Sequence, residues 1–152
     1  MSKPFEIDRL GPGDLTLVRA MNALYADVFG DAASYADAKP DHAYLSALLS
    51  QSGNIALVAV SGDTVIGALT AYTLPKFEQA RSELYIYDLA VAANWRRRGV
   101  ATALIAKVQM IARKTGAWVV FVQADYGDDP AVALYTKLGT REDVMHFDLK
   151  PD

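Results

Sequence analysis

A strand that runs into a basic, glycine-containing turn constrains the fold of this chain more than any other feature. Residues 87–91 (YDLAV) have strand character, and residues 96–101 (RRRGVA) follow after a short gap. An amphipathic helix is predicted next, over 101–115, with Gly116 as its C-terminal cap. The N–H groups at the start of a helix have no partner within it, so they can bind an anion. Together with the arginines and glycine, this turn predicts a binding site for a diphosphate.

The size and composition of the chain indicate one soluble globular domain over residues 1–152. The chain has a mass of 16.5 kDa, with 52% hydrophobic and 22% charged residues. It has no cysteine, and its two histidines, His42 and His146, are far apart, so we expect neither disulfides nor a metal site. No apolar run is long enough to cross a bilayer, and the first residues lack the apolar core of a signal peptide. We therefore expect a cytoplasmic protein with no membrane partner.

The charged residues form two local clusters of opposite sign. The net charge of −3 gives no reason to expect nucleic-acid binding. However, residues 96–98 form a basic cluster, and Asp125, Asp128 and Asp129 form an acidic one. A site for an anionic cofactor beside a site for a cationic substrate would explain both clusters. The alternative is two solvated loops, which charge pattern alone does not exclude.

The order of predicted elements is β-α-α-β-β-β-α-β-α-β, which indicates a mixed α/β (α+β) sheet covered by helices on both faces. Asp14 and Asp41 are predicted to cap the first two helices, with a polar loop over 30–40 between those helices. Gly62-Asp63 predicts a tight hairpin, and Asp129-Pro130 predicts the start of the last helix. The predicted strands cover residues 5–9, 55–60, 65–74, 84–91, 118–122 and 144–149.

Two levels of resemblance follow from these motifs. Arg-x-x-Gly-x-Ala after a strand resembles the acyl-CoA pyrophosphate loop of the GNAT superfamily of N-acetyltransferases. The longer runs at 74–79 (LPKFEQ), 85–91 (YIYDLAV) and 122–139 (VQADYGDDPAVALYTKLG) resemble the type I aminoglycoside 3-N-acetyltransferases, or gentamicin acetyltransferases. The resemblance is strongest over residues 74–148. It implies a mostly antiparallel sheet with splayed central strands, acetyl-CoA as co-substrate, no metal, and a homodimer that could use the C-terminal strand.

The resemblance also implies which residues bind the cofactor. The strand that carries Asp88 would splay from the next strand, so that the pantetheine arm pairs with its backbone. Gly99 would allow close approach to the diphosphate, and arginine side chains would contact its oxygens. The backbone residues implied for the pantetheine are Leu89, Ala90 and Val91, and those implied for the diphosphate are Arg96, Arg97, Arg98, Gly99, Val100, Ala101 and Thr102.

The implied chemistry needs a base and a proton donor. Asp88 would accept a proton from the acceptor amine, and Tyr135 would protonate or orient the departing thiolate. The alternatives are that Asp88 only ends a strand and that Tyr135 is a core aromatic residue. A cationic aminoglycoside would bind acidic residues, with Asp129 mainly capping its helix. The implied substrate residues are Asp88, Glu83, Asp125, Tyr126, Asp128 and Asp129.

Three other functions remain open from the sequence. The nearest is a GNAT enzyme for another amine, such as a polyamine, an amino acid or a protein N-terminus. A non-catalytic acyl-CoA sensor is a different class, and Asp88 and Tyr135 argue against it. A nucleic-acid-binding domain built on residues 96–98 is the least favoured, because it would require a salt-dependent interaction with many phosphates.

Overall fold

The computed structural model describes residues 4–152 in two compact units, which meet between Val122 and Gln123 in sequence. The second unit contains one helix, α5 (Asp129–Leu138). The first unit contains a short 3-10 turn, Ala93–Trp95. The elements of the first unit are β1 (Glu6–Arg9), α1 (Leu15–Phe29), α2 (Ala32–Tyr35), α3 (His42–Ser50), β2 (Asn54–Ser61), β3 (Thr64–Pro75), β4 (Ser82–Val91), α4 (Val100–Thr115) and β5 (Ala117–Val122).

The five strands form one sheet in the order β1-β2-β3-β4-β5, antiparallel except for the parallel pair β4–β5. Ala68 of β3 belongs to the core under α1. Its neighbour Gly67 faces α4, because a Cβ on Gly67 would lie 2.6 Å from Val100 Cγ1. Successive residues of a strand face opposite sides, so α1 and α4 cover opposite faces. The predicted mixed, mostly antiparallel sheet with helices on both faces is confirmed.

A β-bulge interrupts β4 beside the predicted base. Thr70 pairs with Asp88, whereas the next residue of β3, Ala71, pairs with Ile86. Tyr87 is therefore an extra residue, and Tyr87 and Asp88 both stand opposite Thr70. Regular alternation would put Asp88 on the same face as the buried Ile86. The bulge instead brings Asp88 onto the α1 face of the sheet.

The central strands of the sheet diverge at the same point. The parallel pairing of β4 with β5 ends at Ile86 and Val122, one residue before the bulge. From Tyr87 to Val91, β4 pairs with β3 alone among the strands that the structure describes. The predicted splay is confirmed, and it leaves a row of backbone groups on β4 without a neighbouring strand.

Several local predictions are wrong. The predicted loop over 30–40 contains α2, whose first turn is capped by the Asp31 carboxylate. Asp14 stands at the N-cap position of α1 as predicted, but its carboxylate accepts a hydrogen bond from the Gly11 backbone N–H at 2.8 Å and so closes the preceding turn. In the second unit Asp128 is the N-cap of α5, accepting from the Ala131 N–H, and Asp129 is the first helical residue. Asp41 caps α3 as predicted.

The predicted strand over 144–149 is also wrong. Residues 141–150 form no regular element, and Val144, Met145, Phe147 and Leu149 are exposed. A strand needs backbone partners and a covered apolar face, and this segment has neither in the single chain. His146 does not pack in a core but is hydrogen-bonded to Asp148 at 2.8 Å. Among the residues from 4 onward, no helix is both long and apolar enough to span a membrane.

Candidate active site

The Asp88 carboxylate is held by hydrogen bonds at both of its oxygens. The Tyr35 hydroxyl donates to Oδ1 at 2.7 Å, and the Thr70 hydroxyl donates to Oδ2 at 3.3 Å. Thr70 lies directly opposite Asp88 on β3, and Tyr35 comes from the short helix α2. Asp88 itself is half-buried. The β-bulge and α2 together fix the position of one carboxylate on the α1 face of the sheet.

Phenol groups surround this carboxylate. Burial raises the pKa of Tyr35, and its hydrogen bond to Asp88 raises the pKa further. Burial and the nearby Asp88 charge also raise the pKa of Tyr72. The buried Tyr25 hydroxyl lies beside Thr70 but makes no hydrogen bond, and burial raises the pKa of Tyr25 as well. These tyrosines are neutral near pH 7, so Tyr35 acts as a hydrogen-bond donor to Asp88 and not as a source of protons.

A cavity of about 170 Å³ reaches Asp88 from between α1, α3 and the sheet. Leucines of α3 and residues of α1 and β2 make most of its wall apolar. Asp88 is the only carboxylate among the described residues that line it. The other polar side chains in the lining are Asn22, Tyr44, Asn54, Thr70 and Tyr72. The cavity could accept an uncharged or singly charged group and direct an amine to Asp88.

The predicted diphosphate loop has the backbone geometry of an anion site. Arg97 and Gly99 both have positive φ, 60° and 79°, and Gly99 precedes α4 without a capping side chain. The first N–H groups of α4, from Val100 to Thr102, therefore lack a side-chain cap. The Arg98 guanidinium lies over the Trp95 ring, 4.8 Å from its centroid. The Val100 side chain is buried and packs near Gly67, so only its backbone is available to a ligand.

Glu83 does not join the surroundings of Asp88. It lies five positions earlier on β4, which corresponds to roughly 16 Å along a strand. Its carboxylate forms an ion pair with Lys76 at 3.2 Å. In the described chain, no group of three or more carboxylate or histidine side chains is arranged to hold a metal.

The remaining predicted substrate residues lie together in the second unit. Asp125, Tyr126, Asp128 and Asp129 are all exposed around the start of α5. The Tyr126 hydroxyl donates to Asp143 Oδ1 at 3.2 Å, and Arg141 forms an ion pair with the same carboxylate at 2.9 Å. Arg141, which the sequence did not single out, thus offsets part of the acidic charge in this unit.

Tyr135 lies within α5 and is half-buried. Burial raises its pKa to about 12, with a smaller contribution from the charge of Asp128. The phenol is therefore protonated across the neutral range and can donate a hydrogen bond. No residue of α5 is fully buried, so the predicted apolar face of this helix is only partly covered.

Sequence reasoning missed Tyr35 and Thr70. Tyr35 lies in the segment interpreted as a polar loop, and no motif connects it with Asp88, 53 positions away. Thr70 could have been identified from the sequence, because a polar residue within the apolar run of β3 needs a hydrogen-bond partner on a neighbouring strand.

The acetyltransferase (GNAT) family model matches residues 18–140. The chain therefore belongs to the acetyltransferase (GNAT) family, whose members transfer acetyl groups from acetyl-CoA. The match extends across the strand edge, the arginine-rich loop and α5, which are the features from which the resemblance was drawn.

Solved structures and curated relatives agree with this assignment. An aminoglycoside acetyltransferase from an uncultured soil metagenomic sample is 45% identical with a TM-score of 0.96, covering 100% of both chains. A second one from such a sample, in complex with sisomicin, is 32% identical with a TM-score of 0.90 over 98% of this chain and 97% of that chain. N-acetyltransferase 8B of Rattus norvegicus is 31% identical over 65% of this chain and 45% of its own length. The chain spans about half or less of the length of the curated relatives it matches.

Proposed function

We propose that the protein is an aminoglycoside 3-N-acetyltransferase that uses acetyl-CoA. The observation that carries the proposal is the position of Asp88, where an apolar cavity meets the unpaired edge of β4. An acceptor amine in the cavity and a thioester along the strand edge would meet at this carboxylate. The similarity over the whole chain to a soil aminoglycoside acetyltransferase supports the substrate class.

The cofactor would extend along β4 to the start of α4. The backbone of Leu89, Ala90 and Val91 would pair with the pantetheine arm, because β5 no longer pairs with β4 there. The diphosphate would bind the N–H groups of residues 99–102, and Arg96, Arg97 and Arg98 would neutralise its charge. The positive φ values at Arg97 and Gly99 support this role, since they are typical of loops that turn N–H groups toward an anion.

The reaction would be a direct transfer. The ammonium form of the substrate gives its proton to Asp88, and the neutral amine then attacks the thioester carbonyl. A C–N bond forms, the nitrogen releases its second proton to solvent, the C–S bond breaks, and CoA leaves as a thiolate that then takes up a proton. Tyr135 would protonate or hydrogen-bond that thiolate. Its raised pKa keeps the phenol protonated but makes it a weaker acid, which favours the hydrogen bond.

Acidic side chains would bind the other ammonium groups of the antibiotic. Asp125, Tyr126, Asp128 and Asp129 are exposed and supply this charge in the second unit. The capping role of Asp128 leaves Asp129 with a carboxylate that is available to a ligand, the reverse of the sequence-based expectation. Glu83 is the weakest member of the set, because Lys76 neutralises it.

Thiol release from acetyl-CoA tests the proposal. We would offer gentamicin, an aminoglycoside blocked at the 3-amine, spermidine and a peptide N-terminus in parallel. Release with gentamicin and not with the blocked compound would support both the class and the position of transfer. Release with the blocked compound would contradict the position, and release with spermidine or peptide alone would contradict the substrate.

One observation favours a GNAT enzyme for another amine as the second candidate. The cavity at Asp88 is largely apolar with a single carboxylate, which suits an amine on an apolar chain. An N-alpha-acetyltransferase of Sulfurisphaera tokodaii is 29% identical over 51% of this chain and 53% of its own length. The peptide acceptor in the same assay distinguishes this candidate.

A homodimer and a cytoplasmic location are part of the proposal, as is a single domain over residues 1–152. Val144, Met145, Phe147 and Leu149 expose apolar side chains that a second copy could cover. Sedimentation of the full chain and of a chain ending at Glu142 tests the dimer. A full chain that sediments as a monomer would contradict it.

A further inference from the structure

Four aromatic rings form a continuous row across three neighbouring strands. Tyr72 of β3 pairs with Tyr85 of β4, which in turn pairs with Phe121 of β5. The rings of Tyr85 and Phe121 stack at 4.6 Å, and Tyr87 contacts Tyr85 at 5.6 Å and Tyr72 at 5.9 Å. We call these four residues the aromatic row.

The row lies beside the predicted base and is open to solvent. Tyr87 is 61% exposed and Tyr72 is 38% exposed. Tyr72 and Asp88 line the same cavity, and Tyr87 directly precedes Asp88 in the bulge of β4, so the carboxylate lies beside these rings. The β-bulge places Tyr87 and Asp88 on the same face although they are adjacent in sequence. Exposed aromatic rings of this size are costly in water unless a ligand covers them.

We propose that the aromatic row is the subsite that binds an amino-sugar ring of the acceptor, with its amine directed to Asp88. This inference rests on the proposed function and adds to it how the substrate is recognised.

The chemistry of an amino sugar fits the row in two ways. The C–H face of a sugar ring is apolar and flat, so it packs on an aromatic face. An ammonium group within about 6 Å of a ring centroid is attracted by the π electrons, most strongly where water is excluded. Asp88 is the only carboxylate in the described lining of the cavity, and Tyr72 is the ring of the row that lines it. The rings therefore supply an attraction for cations beside a single acidic group.

A linear polyamine separates the two contributions of the aromatic row, ring stacking and attraction for cations. Spermidine carries ammonium groups but has no ring face to stack, so it can use the cation attraction alone. A gentamicin ring can use both. The aromatic row should therefore contribute more to gentamicin binding than to spermidine binding.

Calorimetric titration of the CoA-loaded protein tests the inference without requiring turnover. Tyr87→Leu removes one ring at an exposed position where folding is not at risk, and we expect the Kd for gentamicin to rise about 3- to 30-fold. Tyr87→Phe keeps the ring and should bind within about twofold of the unmodified protein, by the same reasoning. The Kd for spermidine should change less in Tyr87→Leu than the Kd for gentamicin.

Trp118→Leu is the matched control. Trp118 is 54% exposed on β5, and its ring is covered by the Arg81 guanidinium, 4.2 Å from the ring centroid, and not by a ring of the aromatic row. Its replacement should leave the Kd for gentamicin unchanged. The inference is overturned if Tyr87→Leu binds gentamicin normally, if spermidine loses as much affinity, or if Trp118→Leu has the same effect.

The two hypotheses fail in different ways. Gentamicin binding that depends on Tyr87, without thiol release, would contradict the proposed function and support the aromatic row. Thiol release with gentamicin binding that does not depend on Tyr87 would do the opposite.

Discussion

The hydroxyl of Tyr35 donates a hydrogen bond to Asp88 Oδ1 at 2.7 Å, joining α2 to β4 across 53 positions of sequence. The Tyr35 ring packs against Tyr25 and Phe29, each at a centroid distance of 5.5 Å. The phenol is thus anchored by its ring in the α1 core while its oxygen orients the carboxylate. Removing the hydroxyl alone separates these two roles.

Tyr35→Phe should lower kcat/KM for the acceptor about tenfold and change the melting temperature little. A hydrogen bond to a charged group is worth about 1.5–3 kcal/mol, and the partial exposure of Tyr35 favours the lower end. Initial rates with acetyl-CoA and thermal unfolding check the two effects.

A double-mutant cycle with Asp88→Asn provides the control. If Tyr35 acts through the carboxylate, adding Tyr35→Phe to Asp88→Asn should cause little further loss. Additive losses in the two backgrounds would mean that Tyr35 contributes by another route.

Gly67→Ala should lower the free energy of unfolding by about 1–3 kcal/mol, as expected for overpacking. The new Cβ would lie 2.6 Å from Val100 Cγ1 and 3.3 Å from Ala59 Cβ. Because Val100 begins α4, the adjustment should also displace the predicted diphosphate loop and raise KM for acetyl-CoA. Denaturant unfolding and steady-state kinetics measure the two effects.

Gly13→Ala is the companion substitution, since a Cβ there has no atom within 4 Å. It should change the free energy of unfolding by less than about 1 kcal/mol. An equal loss in both variants would show that the contact with Val100 is not the cause.

Arg98→Gln should raise KM for acetyl-CoA about tenfold with a smaller change in kcat, because a charge-assisted contact to the diphosphate is lost. Arg113→Gln, in the last turn of the same helix, removes the same charge at a position far from the predicted loop. Titration of CoA into both variants compares them directly. Equal weakening would indicate a general effect of net charge and contradict a specific role for Arg98.

Alkaline conditions should destabilise the protein through its tyrosines. The pKa of Tyr135 is about 12 in the folded chain against 10.0 for an ordinary tyrosine, so the unfolded chain loses this proton first. The associated stability is complete below pH 10 and is lost as the pH rises toward 12. Urea midpoints over this range, for the natural chain and Tyr135→Phe, test the expectation. A Tyr135→Phe chain that loses stability as steeply as the natural one would exclude a contribution from Tyr135.

Sequence patterns predicted five of the strands and the glycine-containing turns because these depend on local signals. Three glycines predicted a hairpin, a helix start and a helix end, in the order Gly62, Gly99 and Gly116. All three glycines have positive φ. The splay of β4 came from the family resemblance, and the pairing register confirms it.

The missed features depend on contacts between distant residues. Both Asp128 and Asp129 carry a carboxylate that can cap a helix. Which of them caps α5 depends on whether the helix starts one residue earlier or later. The apolar alternation at 144–149 satisfies the pattern of a strand, but a strand forms only where another strand accepts its hydrogen bonds. The Tyr35–Asp88 contact joins two elements that no short motif includes.

The divergence of β4 from β5 coincides with a single extra residue, Tyr87. Deleting that residue would leave Asp88 opposite Thr70 and would let β4 continue as a regular strand. A regular β4 would lose the bend that accompanies its departure from β5. The chain could then keep its fold and its carboxylate while losing the strand edge proposed for the cofactor and one ring of the aromatic row. The length of β4 at this point would then be needed for the proposed activity but not for folding.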